Sequence, residues 1–342
     1  KQGYHFVVIT STVMPGSTNG EIRQILEKYA ERSVGETLGL CYSPEFIALG
    51  TVIRDMLNPD FFLIGESDKK AGDMLVSIYS QACDNQPRME RMNFVNAELT
   101  KISVNTFVTT KISYANMLSD LCDHLPDADV DVVTQAIGCD SRIGHKYLKG
   151  AVAYGGPCFP RDNVAFSRLA EIIGAKADLA VATDTINRYQ KDRVLAIIDQ
   201  LNHQPQTIGI LGLSYKPGTA VIEESQGIAL AASLKKKGFN VVVFDPMAMT
   251  PAQAVLGEHV TYATSAAGCV KNCDALVIMT AWPEFAELPL SLFEEKPAGF
   301  SVIDCWRILK PQTLPSKITS IHLGCGVLAQ LAKVKERYVA AK

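Results

Sequence analysis

The sequence predicts an α/β protein: a partial Rossmann-like domain at the amino end, a central all-helical domain, and a second Rossmann-like domain at the carboxyl end. Three observations predict it. Short strand-like runs at residues 6–10, 38–43 and 61–65, the first of them apolar and β-branched, alternate with a helical pattern. From Asn96 the pattern changes, and residues 97–125 are proline-free with small or apolar side chains every three or four positions. A polar linker, Asn202-His203-Gln204-Pro205-Gln206, then precedes a fresh series of strands and helices. The domains are expected at 1–93, 94–201 and 206–342.

Taken in order, residues 6–10 read as a buried parallel strand entering the polar turn Ser11-Thr12-Val13-Met14-Pro15-Gly16. Ser17 is placed to cap a helix through Ala30, with Ile22, Ile25, Leu26 and Tyr29 on one face. Residues 130–137 form a shorter helix ending at Gly138, and a further helix is expected over 163–173, opened by Asp162. Residues 177–201 form a long helix able to pass between domains and to pack on a second copy. Beyond the linker, 207–213 reads as a strand, 213–220 as a loop and 223–237 as a helix closed by Gly238. Strands at 240–244, 275–280 and 300–304 complete the doubly wound series.

The chain's 342 residues carry 33 basic and 36 acidic side chains, a formal charge of −3, and no basic block longer than Lys235-Lys236-Lys237. Nucleic acid and anionic membrane surfaces are therefore poor partners. No apolar run reaches the roughly 18 residues of a membrane helix. Nine scattered cysteines, an odd number, speak against a disulfide framework and for a reducing compartment, with the cytoplasm as the expected location. Cys269 and Cys273 lack a second pair at ligand spacing, so no metal site is expected.

The chemistry concentrates in Gly155-Gly156-Pro157-Cys158-Phe159-Pro160-Arg161-Asp162. Two glycines let backbone and substrate approach closely, and a following helix start favours a thiolate, so Cys158 is the candidate nucleophile. Lys101 and Asn105, four apart on a helix, can together hold an oxyanion, although such a pair on a helix usually faces solvent. Thr12 and Glu45 each follow a strand at the edge where α/β sheets bind ligands, and Glu45 there either activates water or caps the next helix. Gly212-Leu213-Ser214-Tyr215-Lys216-Pro217-Gly218-Thr219 joins a strand to a helix, a site for phosphate, but lacks G-x-G-x-x-G and G-K-[ST]. Asp245, at the end of the next strand, is positioned for ribose hydroxyls.

Together these stretches resemble the UDP-glucose/GDP-mannose dehydrogenase family over essentially the whole chain. The matching stretches are 11–18, Ser43-Pro44-Glu45-Phe46, Asn58-Pro59-Asp60, Ile64-Gly65, Ala97-Glu98-Leu99-Thr100-Lys101, Asn105-Thr106-Phe107, 140–144, 154–162, 211–219 and Phe244-Asp245-Pro246. The resemblance implies a four-electron oxidation of a nucleotide sugar's C6 alcohol to a carboxylate with NAD, of use in polysaccharide synthesis. Cys158 would form a thiohemiacetal and then a thioester. Lys101 and Asn105 would steady oxyanions, Asp162 would handle protons or order water, and Glu45 with Thr12 would assist hydrolysis. Thr12, Glu45 and Arg161 would face the cofactor. Tyr147, Lys149, Tyr154, Gly155, Gly156, Lys216 and Arg307 would line the UDP-sugar, and Arg142 would reach the substrate of a neighbouring subunit, implying a homodimer.

The sequence departs from the family pattern in three places. It begins after the family's G-x-G-x-x-G turn, so residues 6–10 are expected to form an inner strand with apolar surface exposed and NAD affinity reduced. Leu49 stands where members often carry a second glutamate, and Glu223 where an arginine usually stands. Alternative readings are a catalytically silent sugar-nucleotide-binding or dimerisation module, another two-domain dehydrogenase such as a β-hydroxyacid enzyme, or an oxidase of a UDP-N-acetylhexosamine or GDP-mannose.

Overall fold

The computed structural model describes residues 3–201, 204–309, 314–326 and Leu328, so Lys1, Gln2 and the linker residues Asn202 and His203 lie outside the described part. Two compact units emerge: Lys1–Phe107 with Ala165–Lys176, and Val108–Val164 with Ala177–Lys342.

The first unit runs β1 (His5–Ile9), a helical segment Thr18–Ile22, α1 (Arg23–Ala30), β2 (Leu38–Tyr42), α2 (Val52–Leu57), β3 (Phe61–Glu66), α3 (Lys69–Ala82) and β4 (Arg88–Met92). The helix α4 (Phe94–His124) starts in it. The sheet order is β1-β2-β3-β4, with β1 parallel to β2, β3 parallel to β4, and β2 antiparallel to β3. Period-two alternation divides the apolar residues between the two faces. Leu38, Leu40, Tyr42 and Leu63 pack with Phe94 and Ala97 of α4, while Cys41, Phe62 and Ile64 pack with Ala71 and Leu75 of α3.

Two expectations are corrected here. β1 is half-buried along its length, because it is hydrogen-bonded only to β2 and stands at the edge of the described sheet. Ser17 does not cap the following helix: its backbone is already helical and its hydroxyl caps nothing. The segment kinks at Gly20 before α1 begins.

The second unit takes up α4 and adds α5 (Val130–Gly138), α6 (Phe159–Ile173), whose later residues belong to the first unit, and α7 (Asp178–Asp199). Then come β5 (Thr207–Leu211), α8 (Gln226–Lys236), β6 (Asn240–Phe244), α9 (Met249–Leu256), β7 (Thr261–Tyr262), α10 (Ala266–Lys271), β8 (Ala275–Ile278), α11 (Pro283–Ala286), α12 (Ser291–Glu294), β9 (Ser301–Asp304) and β10 (Thr319–His322). All six strands are parallel, in the order β10-β9-β8-β5-β6-β7. Chain direction across the sheet reverses between β5 and β8, the switch point where doubly wound folds open a ligand crevice. Apolar clusters cover both faces, one including Val194, Ile197, Ile208 and Leu230, the other Leu211, Leu276, Phe285 and Phe293.

Candidate active site

In the second unit the cysteine loop is held by two asparagines. Asn116 on α4 donates to Val152 O at 2.9 Å and accepts from Ala151 N at 2.8 Å. Asn187 on α7 does the same for Tyr154, donating to its carbonyl at 3.0 Å and accepting from its N–H at 2.9 Å. Each carboxamide thus stands in for a neighbouring strand, satisfying buried backbone that has no sheet partner. Next in the chain, Gly155 leaves no room for a side chain, since a Cβ there would lie 2.4 Å from Glu224 O. Gly156 donates to Glu223 O at 2.8 Å, and its φ of 85° is one that glycine tolerates and L residues resist.

This clamped loop ends with Cys158, which is exposed and sits at the start of α6. The helix begins at Phe159, four residues earlier than the sequence pattern suggested, so Asp162 lies within the first turn rather than before it. Its amide donates to Cys158 O at 2.8 Å. The Asp162 carboxylate is almost fully buried and accepts from Arg161 Nε and Nη2, both at 3.0 Å. Arg161, assigned to the cofactor on resemblance, is therefore paired with the catalytic candidate beside it. The Phe159 ring is met edge-on by Tyr154 at 6.2 Å and Tyr147 at 6.5 Å. Burial pushes the Tyr154 hydroxyl pKa up. Burial raises the Tyr215 hydroxyl, and its ring lies against the cysteine loop, where a Cβ on Gly156 would fall 2.7 Å from it. Lys216 lies 5.7 Å from that ring. A cavity of about 740 Å³ is lined by Gly156, Pro157, Arg161, Asn187, Arg188 and Glu223 among others.

Two sugar-nucleotide assignments take a different form. Arg307 is buried and gives bidentate bonds to Asp131, at 2.8 Å from both Nε and Nη2, and further bonds to Leu323 O and Gly150 O. A buried guanidinium needs a carboxylate close by, and Asp131 supplies it, so Arg307 ties α5 to the loop that carries Lys149 instead of standing open as a diphosphate clamp. Lys149 Nζ is 3.8 Å from the same carboxylate. Burial works to raise Asp131, but Arg307 and Lys149 outweigh it and hold the carboxyl below its usual range. Arg142 projects into solvent and pairs with Asp140 at 2.6 Å. Its loop is fastened by Lys111, which donates to Ile143 O at 3.0 Å.

At the switch point Asp245 is fully buried, and it does not present a carboxylate to a ribose as the sequence suggested. One oxygen accepts from Leu213 N, Ser214 N and Ser214 Oγ at 2.8–2.9 Å and from Trp282 Nε1 at 3.2 Å. The other accepts from Met247 N and Ala248 N. Helix α8 starts at Gln226, three residues later than expected, because the loop after β5 runs on to a Ser225 cap. Gly227 packs so tightly that a Cβ would lie 2.0 Å from Gly212 O, a close strand–helix approach of the kind glycine-rich nucleotide turns use.

In the first unit, β1 and β2 run parallel side by side, so Thr12 and Glu45 leave the sheet at the same edge. Thr12 is half-buried and the Glu45 side chain is exposed. Lys101 and Asn105 are buried rather than solvent-facing, at 7% and 9% exposure. The Lys101 ammonium donates to Glu45 O at 2.5 Å and stands 4.2 Å over the Phe46 ring. Glu45 and Lys101 are thereby brought together. The edge shared by Thr12 and Glu45 is the crevice edge at which a doubly wound sheet receives a dinucleotide's reactive end, so this geometry fits NAD.

The family profiles match in three blocks: the NAD binding domain over residues 1–83, the central domain over 95–189 and the UDP binding domain over 209–311. The chain belongs to the UDP-glucose/GDP-mannose dehydrogenase family. The resemblance drawn from the sequence and the predicted fold class both hold. UDP-glucose 6-dehydrogenase AglM of Haloferax volcanii is 34% identical over 84% of this chain and 67% of its own length. TuaD of Bacillus subtilis is 32% identical over 84% of this chain, and the UDP-glucose 6-dehydrogenase of Rickettsia bellii 32% over 91%. The chain spans 61% and 71% of those two relatives. A solved UDP-glucose dehydrogenase from Pyrobaculum islandicum superposes with a TM-score of 0.82 at 31% identity, covering 94% of this chain and 71% of that one.

Sequence reasoning gave no role to Asn116, Asn187, Asp131 or Glu98, although Asn187 was read as a position along the long helix 177–201. Asn187 and Asn116 are polar residues within otherwise helical patterns, and only the folded backbone reveals what they satisfy. Glu98 was visible inside the matched stretch at 97–101. No helix among the described residues is long and apolar enough to cross a membrane.

Proposed function

We propose that this chain is the NAD-dependent oxidoreductase part of a UDP-glucose 6-dehydrogenase, converting the C6 alcohol of a UDP-glucose-type sugar to the carboxylate. NAD, when bound, supplies the hydride acceptor for both oxidations. The Cys158 thiolate adds to the C6 aldehyde carbon, giving a thiohemiacetal whose loss of hydride leaves a thioester. Water then attacks the acyl carbon, the C–S bond breaks and the thiolate leaves. Lys101 and Asn105 hold the negative oxygen in both tetrahedral stages. Asp162 accepts or returns the proton, and Thr12 and Glu45 order the hydrolytic water. Tyr147, Tyr154, Gly155, Gly156 and Lys216 contact the UDP-sugar, with Lys149 beside them, while Thr12, Glu45 and Arg161 face the cofactor. The domains divide at 1–93, 94–201 and 206–342.

The observation that carries this reading is the accessible Cys158 at the amino end of α6, directly after a glycine loop pinned by Asn187. Family membership supports it. Replacing Cys158→Ala should abolish UDP-glucuronate formation, and undiminished acid from that variant refutes the assignment. Iodoacetamide should modify Cys158 in competition with UDP-glucose, and calorimetry with NAD and UDP-glucose separately tests whether both bind. A cytoplasmic homodimer completes the proposal. The homodimer is supported by an exposed apolar set, Tyr114 and Leu121 on α4, Leu125 just past its end and Val132 on α5, close to the exposed Arg142 in sequence.

A further inference from the structure

The stripe of α4 that carries Lys101 and Asn105 begins with Glu98, since positions 98, 101 and 105 follow the i, i+3, i+7 spacing of one helix face. Glu98 is fully buried. Its oxygens each accept one backbone N–H from the turn after β1: Gly16 N to Oε2 at 2.6 Å and Thr18 N to Oε1 at 2.7 Å. These amides open the helical segment at Thr18, so the helix itself offers them no acceptor. Amides so placed after a strand are the ones that elsewhere meet a phosphate or carboxylate. Here the occupant is the chain's own Glu98, 82 and 80 residues away in sequence. Three residues on, Lys101 donates to the carbonyl of Glu45. One helix face therefore fastens the exits of both β1 and β2.

We propose that Glu98 is a positioning residue whose bidentate grip on Gly16 and Thr18 sets the Thr12 turn in register with Lys101 and Asn105. The functional consequence rests on the roles proposed for those three residues; the structural one does not. A carboxamide cannot replace the carboxylate, because it offers one acceptor oxygen and turns an N–H₂ toward the second backbone N–H. Charge-assisted bonds of this kind are also roughly twice as strong as neutral ones.

In the unaltered chain, NMR-detected hydrogen exchange should show slow amides at Gly16 and Thr18. Fast exchange at both overturns the proposal whether or not any variant folds. Glu98→Gln should accelerate exchange across 12–20 at least tenfold and leave 99–106 within twofold; unchanged exchange at 12–20 overturns it. In turnover, Glu98→Gln and Thr12→Ala should each lower kcat at least tenfold with KM for UDP-glucose within twofold. Both should accumulate an acyl adduct on Cys158 by intact mass, and the double variant should be no slower than the slower single. Losses that multiply in the double variant overturn the link to Thr12. If the unaltered chain forms no acid, it is the oxidation reading that fails, and the exchange results still decide the role of Glu98.

Discussion

Replacing Asn187 by alanine should loosen the loop that presents Cys158, and the size of the effect follows from two hydrogen bonds. Asn187 is 6% exposed, and its carboxamide is bonded to both the N–H and the C=O of Tyr154, itself 6% exposed. Truncation removes both partners and leaves a buried donor and a buried acceptor unsatisfied. Each such group costs about 1–3 kcal/mol, so the variant should lose roughly 2–6 kcal/mol. That is a large fraction of the about 5–15 kcal/mol of a typical domain. Urea unfolding followed by tryptophan fluorescence gives the midpoint shift, and hydrogen exchange over 152–157 reports the loop directly. Asn116→Ala should give a similar loss by the same logic at Ala151 and Val152. A loss below about 1 kcal/mol for Asn187→Ala, with exchange at Tyr154 still slow, refutes the claim that this carboxamide replaces a strand partner.

Three further outcomes are expected. Gly156→Ala puts a methyl 2.7 Å from the Tyr215 ring at a φ of 85°, so UDP-glucose affinity by calorimetry should fall at least tenfold, and Tyr215→Ala should recover only part of it. Asp131→Asn strands the buried Arg307 charge and should destabilise by about 2–3 kcal/mol in urea, less than the about 3–5 of a fully buried pair because Asp131 is partly exposed. Burial, followed by Glu66 and Asp68, pushes the Cys41 thiol up to about 12 from a usual 9.0. The unfolded chain releases that proton first, so this group's contribution is complete below about pH 9 and lost as pH climbs toward 12. Cys41→Val should flatten the alkaline limb of a stability–pH curve, and an unchanged limb argues against the burial.

The strands were legible because their cause is local. Residues 38–42 (Leu-Gly-Leu-Cys-Tyr) and 241–244 (Val-Val-Val-Phe) are short unbroken apolar runs, and a strand covered on both sides buries such a run. The tight loop ahead of Cys158 was legible for a similar reason, since glycine pairs mark close backbone approach and a Cβ at Gly155 would lie 2.4 Å from Glu224 O. The helix starts were less so. Ser17 has the chemistry of a cap, yet the cap on that helix comes from Glu98, 80 residues on, and no local pattern announces it. The antiparallel pairing of β2 with β3 is another long-range choice, as is the destination of Arg307. An arginine one residue past Trp306 reads as an exposed clamp until Asp131, 176 positions earlier, is seen beneath it.

Buried carboxylates at the strand exits follow a single pattern that bears on how this chain can recognise a ligand. Asp245 is saturated by four backbone amides, a hydroxyl and an indole N–H; Asp304 receives Trp306 N and Leu309 N; Glu98 receives Gly16 N and Thr18 N. Each brings negative charge to amides that would otherwise attract an anion, and each fixes the loop that donates them. Loops fixed this way are rigid before any ligand arrives, which lowers the entropy lost on binding. It also means that the amides nearest the strands are already satisfied. On the sugar-nucleotide reading proposed above, charge recognition of a diphosphate would then fall to side chains set one layer further out, with Lys216 on the loop after β5 the first of them. Lys216→Met should accordingly weaken UDP and UDP-glucose binding by the same factor, about tenfold or more in calorimetry, while leaving uridine binding unchanged. Equal weakening of uridine would show that the lysine shapes the loop and does not meet the phosphates.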